Sequence, residues 1–133
     1  MRVLITGWRH AAEGYRGLVY STLDAIAFNA IEHPIIVVHG ACPYGGIDKY
    51  ANDWASQTCY GKAEAHPAEL FGAWPSCGPK RNSHMVSLGA DLCLGFPGPQ
   101  SRGTWDCLRK AVDAGIPTRV VGLSALGMMS DDE

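Results

Sequence analysis

Five short apolar runs alternate with four stretches whose apolar residues recur every three or four positions, and this change of period sets the order of elements. Arg2 to Thr6 is a compact β run, followed at helical spacing by Leu18, Leu23, Ile26, Ala27 and Ala30. Pro34 opens Ile35, Ile36, Val37 and Val38, apolar at every position, as a strand covered on both faces requires. Ile47, Ala51, Trp54 and Ala55 make the second helical stripe. Lys62 to His66 is weakly apolar and suits a sheet edge, and an irregular loop then passes Trp74, Pro75 and Gly78. Pro79 suits a helix start, with Arg81 and Met85 four apart on one face and Met85 turned to the core. Leu92, Cys93, Leu94 and Phe96 form the fourth β run, which breaks at Pro97-Gly98. Helical spacing resumes at Thr104 through Trp105, Leu108, Ala111 and Val112, Gly115-Ile116-Pro117 closes that helix, and Thr118 to Val121 is the fifth run.

This alternation predicts an α/β fold, a Rossmann-like doubly wound and mainly parallel five-stranded sheet in the order 3-2-1-4-5, with the first strand central. Residues 1–122 form one domain, and residues 123–133, ending in Ser130-Asp131-Asp132-Glu133, read as a partly ordered tail. No repeat or low-complexity tract marks a second domain.

A chain of 133 residues with 47% apolar and 18% charged positions can bury a core without staples. Its formal net charge of -2 argues against salt-driven binding to a nucleic-acid backbone and favours a small anion as guest. The five cysteines show neither a disulfide framework nor the spacing of a zinc site, which fits reduced thiols in a cytoplasm. The first residues run straight into a short strand without a signal-peptide core, and no stretch has the length of a bilayer span. Neither secretion nor membrane insertion is expected.

In such sheets ligands bind beyond the carboxyl ends of the strands, near the reversal of strand order. The unusual loops fall there: Gly7-Trp8-Arg9-His10, His39-Gly40 through Gly46, and Pro97-Gly98 through Gly103-Thr104. A helix beginning at Thr104 has unpartnered N–H groups and a partial positive charge, so Gly103 and Thr104 either receive a phosphate or cap the helix. Gly45 and Gly46 let a ligand approach the backbone, and Asp48 either accepts from a ribose hydroxyl or favours the helix dipole. The forked guanidinium groups of Arg9 and Arg81 suit phosphate, or else make ordinary ion pairs. Asn82 orients a sugar or caps its helix, while Ser101 and Arg102 lie in a loop that either closes over a ligand or is a solvated turn. Trp8 is a candidate base stacker or a core residue. His10 and His39 are candidate bases or satisfied structural histidines, and Cys42 and Cys107 are either thiols activated by nearby helix starts or, more economically, small buried residues.

These residues carry a resemblance across nearly the whole chain. Gly7-x-Arg9, His39-Gly40-Ala41 with Gly45-Gly46-x-Asp48 and Trp54-Ala55, Pro67-Ala68, Gly78-Pro79-x-Arg81-Asn82-x-x-Met85, and Ser101-x-Gly103-Thr104 with Ala114-Gly115-Ile116-Pro117 resemble the YspA/YpsA-related branch of the SLOG superfamily. The resemblance implies a Rossmann-like binder of nucleotides or nucleotide-derived ligands, encoded in bacteria or their phages, and thus placed in a cell's or host's cytoplasm. It also implies a homo-oligomer, a dimer or larger ring, with no required cofactor beyond the nucleotide-like ligand.

Relatives in that superfamily include the "lonely guy" phosphoribohydrolases and the DNA-processing protein DprA. The phosphoribohydrolases carry P-G-G-x-G-T-x-x-E, whose glutamate and an upstream arginine serve N-glycosidic cleavage. This chain keeps Pro97-Gly98, Gly103-Thr104 and a matching Arg81, but its loop is two residues longer and Pro99 replaces the second glycine. Cys107 stands at the glutamate position. Hydrolysis would then need Arg81 together with another acid, Asp48, Asp106 or Glu69, so binding of a nucleotide or phosphosugar is the expected function. N-glycosidic hydrolysis and a DprA-like single-stranded DNA or protein-interaction module are the alternatives.

Overall fold

The computed structural model describes residues 1–30 and 34–122; the expected tail, residues 123–133, lies outside the described residues. Five strands, β1 (Arg2–Gly7), β2 (Ile35–His39), β3 (Gly61–Ala65), β4 (Leu92–Phe96) and β5 (Thr118–Val120), form one sheet in the order β3-β2-β1-β4-β5. Every pairing is parallel, with Val3 opposite both Val37 and Leu92 in the centre. Helices α1 (Gly14–Asn29), α2 (Gly46–Gln57), α3 (Cys77–Ser87) and α4 (Arg102–Asp113) connect the strands, with a short 3-10 turn at Ala68–Phe71. The architecture is the Rossmann-like one that the periodicity predicts.

Side chains of successive strand residues point to opposite faces, so each central strand feeds two cores. Val3, Ile5, Ile35, Val37, Leu92, Leu94 and Phe96 pack with Leu18, Leu23, Ile47, Ala51 and Trp54 of α1 and α2. Leu4, Val38 and Cys93 pack on the other face with Met85 of α3 and Cys107, Leu108 and Ala111 of α4. The continuous apolarity of β2 follows from this double coverage.

Two helix starts and the phase of one helix differ from the sequence expectation. Helix α3 begins at Cys77, so Pro79 sits inside its first turn, where a missing N–H costs no intrahelical bond. Helix α4 begins at Arg102 rather than Thr104, which puts Ser101 at its cap and Arg102 in the helix, not in a free loop. Its buried stripe is Thr104, Cys107, Leu108 and Ala111, while Trp105 and Val112 are exposed. An i, i+3, i+4 pattern drawn from the bulkiest apolar residues missed the phase because Thr104 and Cys107, both small, carry the packing against the sheet.

Edge strand β3 has only polar and small residues to offer, and electrostatics helps hold it. The Arg2 guanidinium reaches across β2 to both Glu64 carboxylate oxygens at 3.0 Å, and His66 Nε2 lies 2.8 Å from Glu64 Oε2. Hydrogen bonding from Arg2, then from His66, holds the Glu64 carboxyl at about 2, against 4.5 for an ordinary glutamate. A depressed carboxyl contributes its stability in full above the unfolded value and loses it as pH falls through the folded one. Glu64→Gln is expected to cost about 1 kcal/mol at neutral pH, since the pair is partly solvent-screened. Urea titrations at stepped pH should show that gap closing between pH 4.5 and pH 2.

Candidate functional site

The loops after β1, β2 and β4 meet the amino-terminal part of α3 at one edge of the sheet, and contacts between backbones fix how closely. Gly46, the first residue of α2, has φ of +63° and lies against the β1 loop. A Cβ there would stand 2.5 Å from the Trp8 carbonyl oxygen and 2.6 Å from that of Arg9. Ile47 N–H donates to the same Trp8 carbonyl at 3.3 Å, so the start of α2 is stitched to the end of β1. Gly7 is crowded by Ile47, Gly98 by the Trp8 ring and Gly40 by the Arg81 guanidinium. These glycines serve the approach of one protein segment to another. Gly103 differs, for a Cβ on it would enter open space.

Arg81 spends much of its donor set inside the protein. Its Nη1 donates to the Gly40 carbonyl at 2.7 Å and to that of His66 at 3.4 Å, and its Nε donates to Asn82 Oδ1 at 2.9 Å. Buried Asn82 passes the connection on, its Nδ2 donating to the Gly103 carbonyl at 3.2 Å and to Asp106 Oδ2 at 3.1 Å. Asn82 therefore couples Arg81 to the amino terminus of α4. At that terminus the hydroxyls of Ser101 and Thr104 are 3.0 Å apart and nearly buried, and no described acceptor takes the Gly103 or Thr104 N–H.

Asp48 faces inward. Its carboxylate is 8% exposed and accepts the Cys42 N–H at 3.2 Å, inside the turn between β2 and α2. Burial pushes this carboxyl above the usual aspartate range, against the pull of the Arg81 charge and the Cys42 and Gly40 amides. His39 is equally committed: Ala41 N–H donates to Nδ1 at 3.0 Å, leaving Nε2 to donate to Asn52 Oδ1 at 2.9 Å. Ala41 holds a φ of +51° in this turn, an uncommon conformation for alanine. His39 is a satisfied structural residue, and Trp8 packs edge-on to Tyr15 at 6.0 Å and beneath Gly98.

Arg9 is exposed, its guanidinium 5.3 Å from the centre of the Tyr44 ring and 5.7 Å from that of Trp74. Among the described residues neither Arg9 nor Arg81 has a carboxylate at ion-pair distance. Both nevertheless meet one segment, the turn between β2 and α2: Arg9 lies over the Tyr44 ring and Arg81 Nη1 donates to the Gly40 carbonyl. Burial raises the Cys42 thiol pKa within that turn. Cys107, by contrast, is fully buried among Leu4, Val38 and Met85 and faces the core.

The chain is 38% identical over 122 residues to the Gene 61 protein of Mycobacterium phage D29, covering 87% of this chain and 92% of that protein. The chain belongs to the family of that phage protein. No family model and no solved structure matches it. Among the described residues no helix is long and apolar enough to cross a membrane, and no three His, Cys, Asp or Glu side chains gather as a metal site.

Sequence reasoning missed Tyr44 and Trp74 because neither belongs to an apolar stripe. Their signal was available all the same: each is a large aromatic in an irregular, glycine- and proline-bearing loop, beside Gly45 or Pro75. A groove of about 760 Å3 lined by Ser83, Lys110, Asp113 and Ile116 lies away from the strand-end loops.

The glycine contacts give a paired expectation. Gly46→Ala combines a positive φ with a backbone clash and should lower unfolding free energy by about 2 kcal/mol or more. Gly103→Ala, within the first turn of α4, should leave stability unchanged or raise it by about 0.5 kcal/mol. Urea denaturation of the two variants beside the parent chain measures both.

Proposed function

We propose that this chain binds a nucleotide or nucleotide-derived phosphosugar across the carboxyl ends of its strands, as the SLOG resemblance implies. One observation carries the reading: two guanidinium groups without carboxylate partners, from separate segments, meet the same turn between β2 and α2, Arg9 over Tyr44 and Arg81 on the Gly40 carbonyl. An anion near that turn would supply the missing countercharge, with Arg9 as the freer donor and Arg81 held in place by Gly40 and Asn82. The unpartnered Gly103 and Thr104 amides, at a helix start and coupled to Arg81 through Asn82, fit the same guest. The reading is one of binding without turnover, since Cys107 brings no carboxyl to the position that cleavage uses and points into the core.

N-glycosidic cleavage has a specific observation in its favour, the Asp48 carboxyl that burial raises toward the range of a general acid. Its 8% exposure and its bond to the Cys42 amide bind it to the turn instead. Incubation with nucleoside monophosphates and NAD-like compounds is expected to release no free base; release that Asp48→Asn abolishes would establish the hydrolase.

Calorimetric titration with the same compounds tests binding. Arg9→Ala should weaken the tightest ligand about 10-fold, in keeping with loss of one charge-assisted contact, and leave the urea midpoint in place because Arg9 is exposed. Equal affinity in the variant and the parent would remove Arg9 from the site.

A further inference from the structure

Resting on that reading, we propose that Tyr44, Trp74 and Arg9 form a base-stacking subsite, which makes the ligand a mononucleotide with a flat heteroaromatic base and not a bare phosphosugar. The three side chains come from three segments, the β1 loop, the β2 loop and the stretch between the 3-10 turn and α3. One guanidinium lies within cation–π range of both rings, at 5.3 Å and 5.7 Å. His10 extends the cluster, its ring centred 5.7 Å from that of Tyr44.

The rings are not spent on the fold. Tyr44 is 68% exposed and Trp74 71% exposed, whereas Trp8 and Trp54 pack with the core. Two large aromatics left in water beside an arginine without a carboxylate partner present the chemistry of a nucleotide in pieces. The rings offer flat apolar surface to a base, and the guanidinium offers a donor fork to a phosphate or a base edge. Stacking tolerates any base but grows with the size of its face, so purines should be preferred. The formal charge of -2 favours a single nucleotide over a polynucleotide chain.

The test is calorimetric titration of the full chain with AMP, UMP and ribose 5-phosphate, repeated for Tyr44→Ala, Trp74→Ala and Trp74→Phe. AMP should bind about 10-fold tighter than ribose 5-phosphate, with UMP between them. Tyr44→Ala and Trp74→Ala should each remove most of that advantage while leaving ribose 5-phosphate affinity and the thermal midpoint unchanged, and Trp74→Phe should restore it. Equal binding of AMP and ribose 5-phosphate, unaffected by either alanine variant, would overturn the base subsite and leave the anion site standing. No binding of any of the three would overturn both. Alanine variants that dissociate an oligomer in sedimentation, with AMP affinity unchanged, would assign the rings to a contact between copies and overturn the subsite. Salt-sensitive binding of a single-stranded oligonucleotide far tighter than AMP would overturn the choice of a mononucleotide.

Discussion

The close approach of the start of α2 to the end of β1 is the constraint on which the strand-end edge rests. Gly46 touches the Trp8 and Arg9 carbonyl groups while Ile47 donates to the first of them. That contact holds the β1 and β2 loops together, with Arg9 over the Tyr44 ring. The two cores beneath provide the footing: β1 is buried on both faces, so the carbonyls at its end have little freedom to move.

A chain of polar contacts extends this rigidity around the edge. Asp48 and His39 close the turn after β2, Arg81 takes the Gly40 carbonyl at that turn, and Asn82 joins Arg81 to the first turn of α4. The bonds between buried groups are worth more than exposed ones of equal length, because unmaking one strands a polar group away from water. The arrangement leaves Arg9 and the Gly103 and Thr104 amides as the unspent groups, held on a preorganised base. Preorganisation of this kind lowers the ordering cost of binding.

The strand order was legible because apolar runs long enough to need two covers, such as Ile35 to Val38, allow few arrangements once crossovers are right-handed. The location of the candidate site followed from the same topology. What the sequence concealed was the direction of each side chain. Gly46 reads as room for a ligand and Gly7, Gly40 and Gly98 as parts of the binding loops, yet each makes room for the β1 backbone, Ile47, Arg81 or Trp8. Asp48, legible either as a ribose acceptor or as a partner of the helix dipole, turns inward to the Cys42 amide, while Trp74 stays in water. Periodicity identifies faces of regular elements; it carries no information about which loop residues find one another across 30 to 70 positions of sequence.

The most direct test of the account is the pattern of backbone and Arg Nε–H nuclear magnetic resonance shifts as AMP is titrated into the isotopically labelled chain. The Gly45, Gly46, Gly103 and Thr104 amides and the Arg9 and Arg81 Nε–H groups are expected to move together along one binding curve. Shifts confined to the groove of Ser83, Lys110 and Ile116, or responses of the two arginines along different curves, would contradict it.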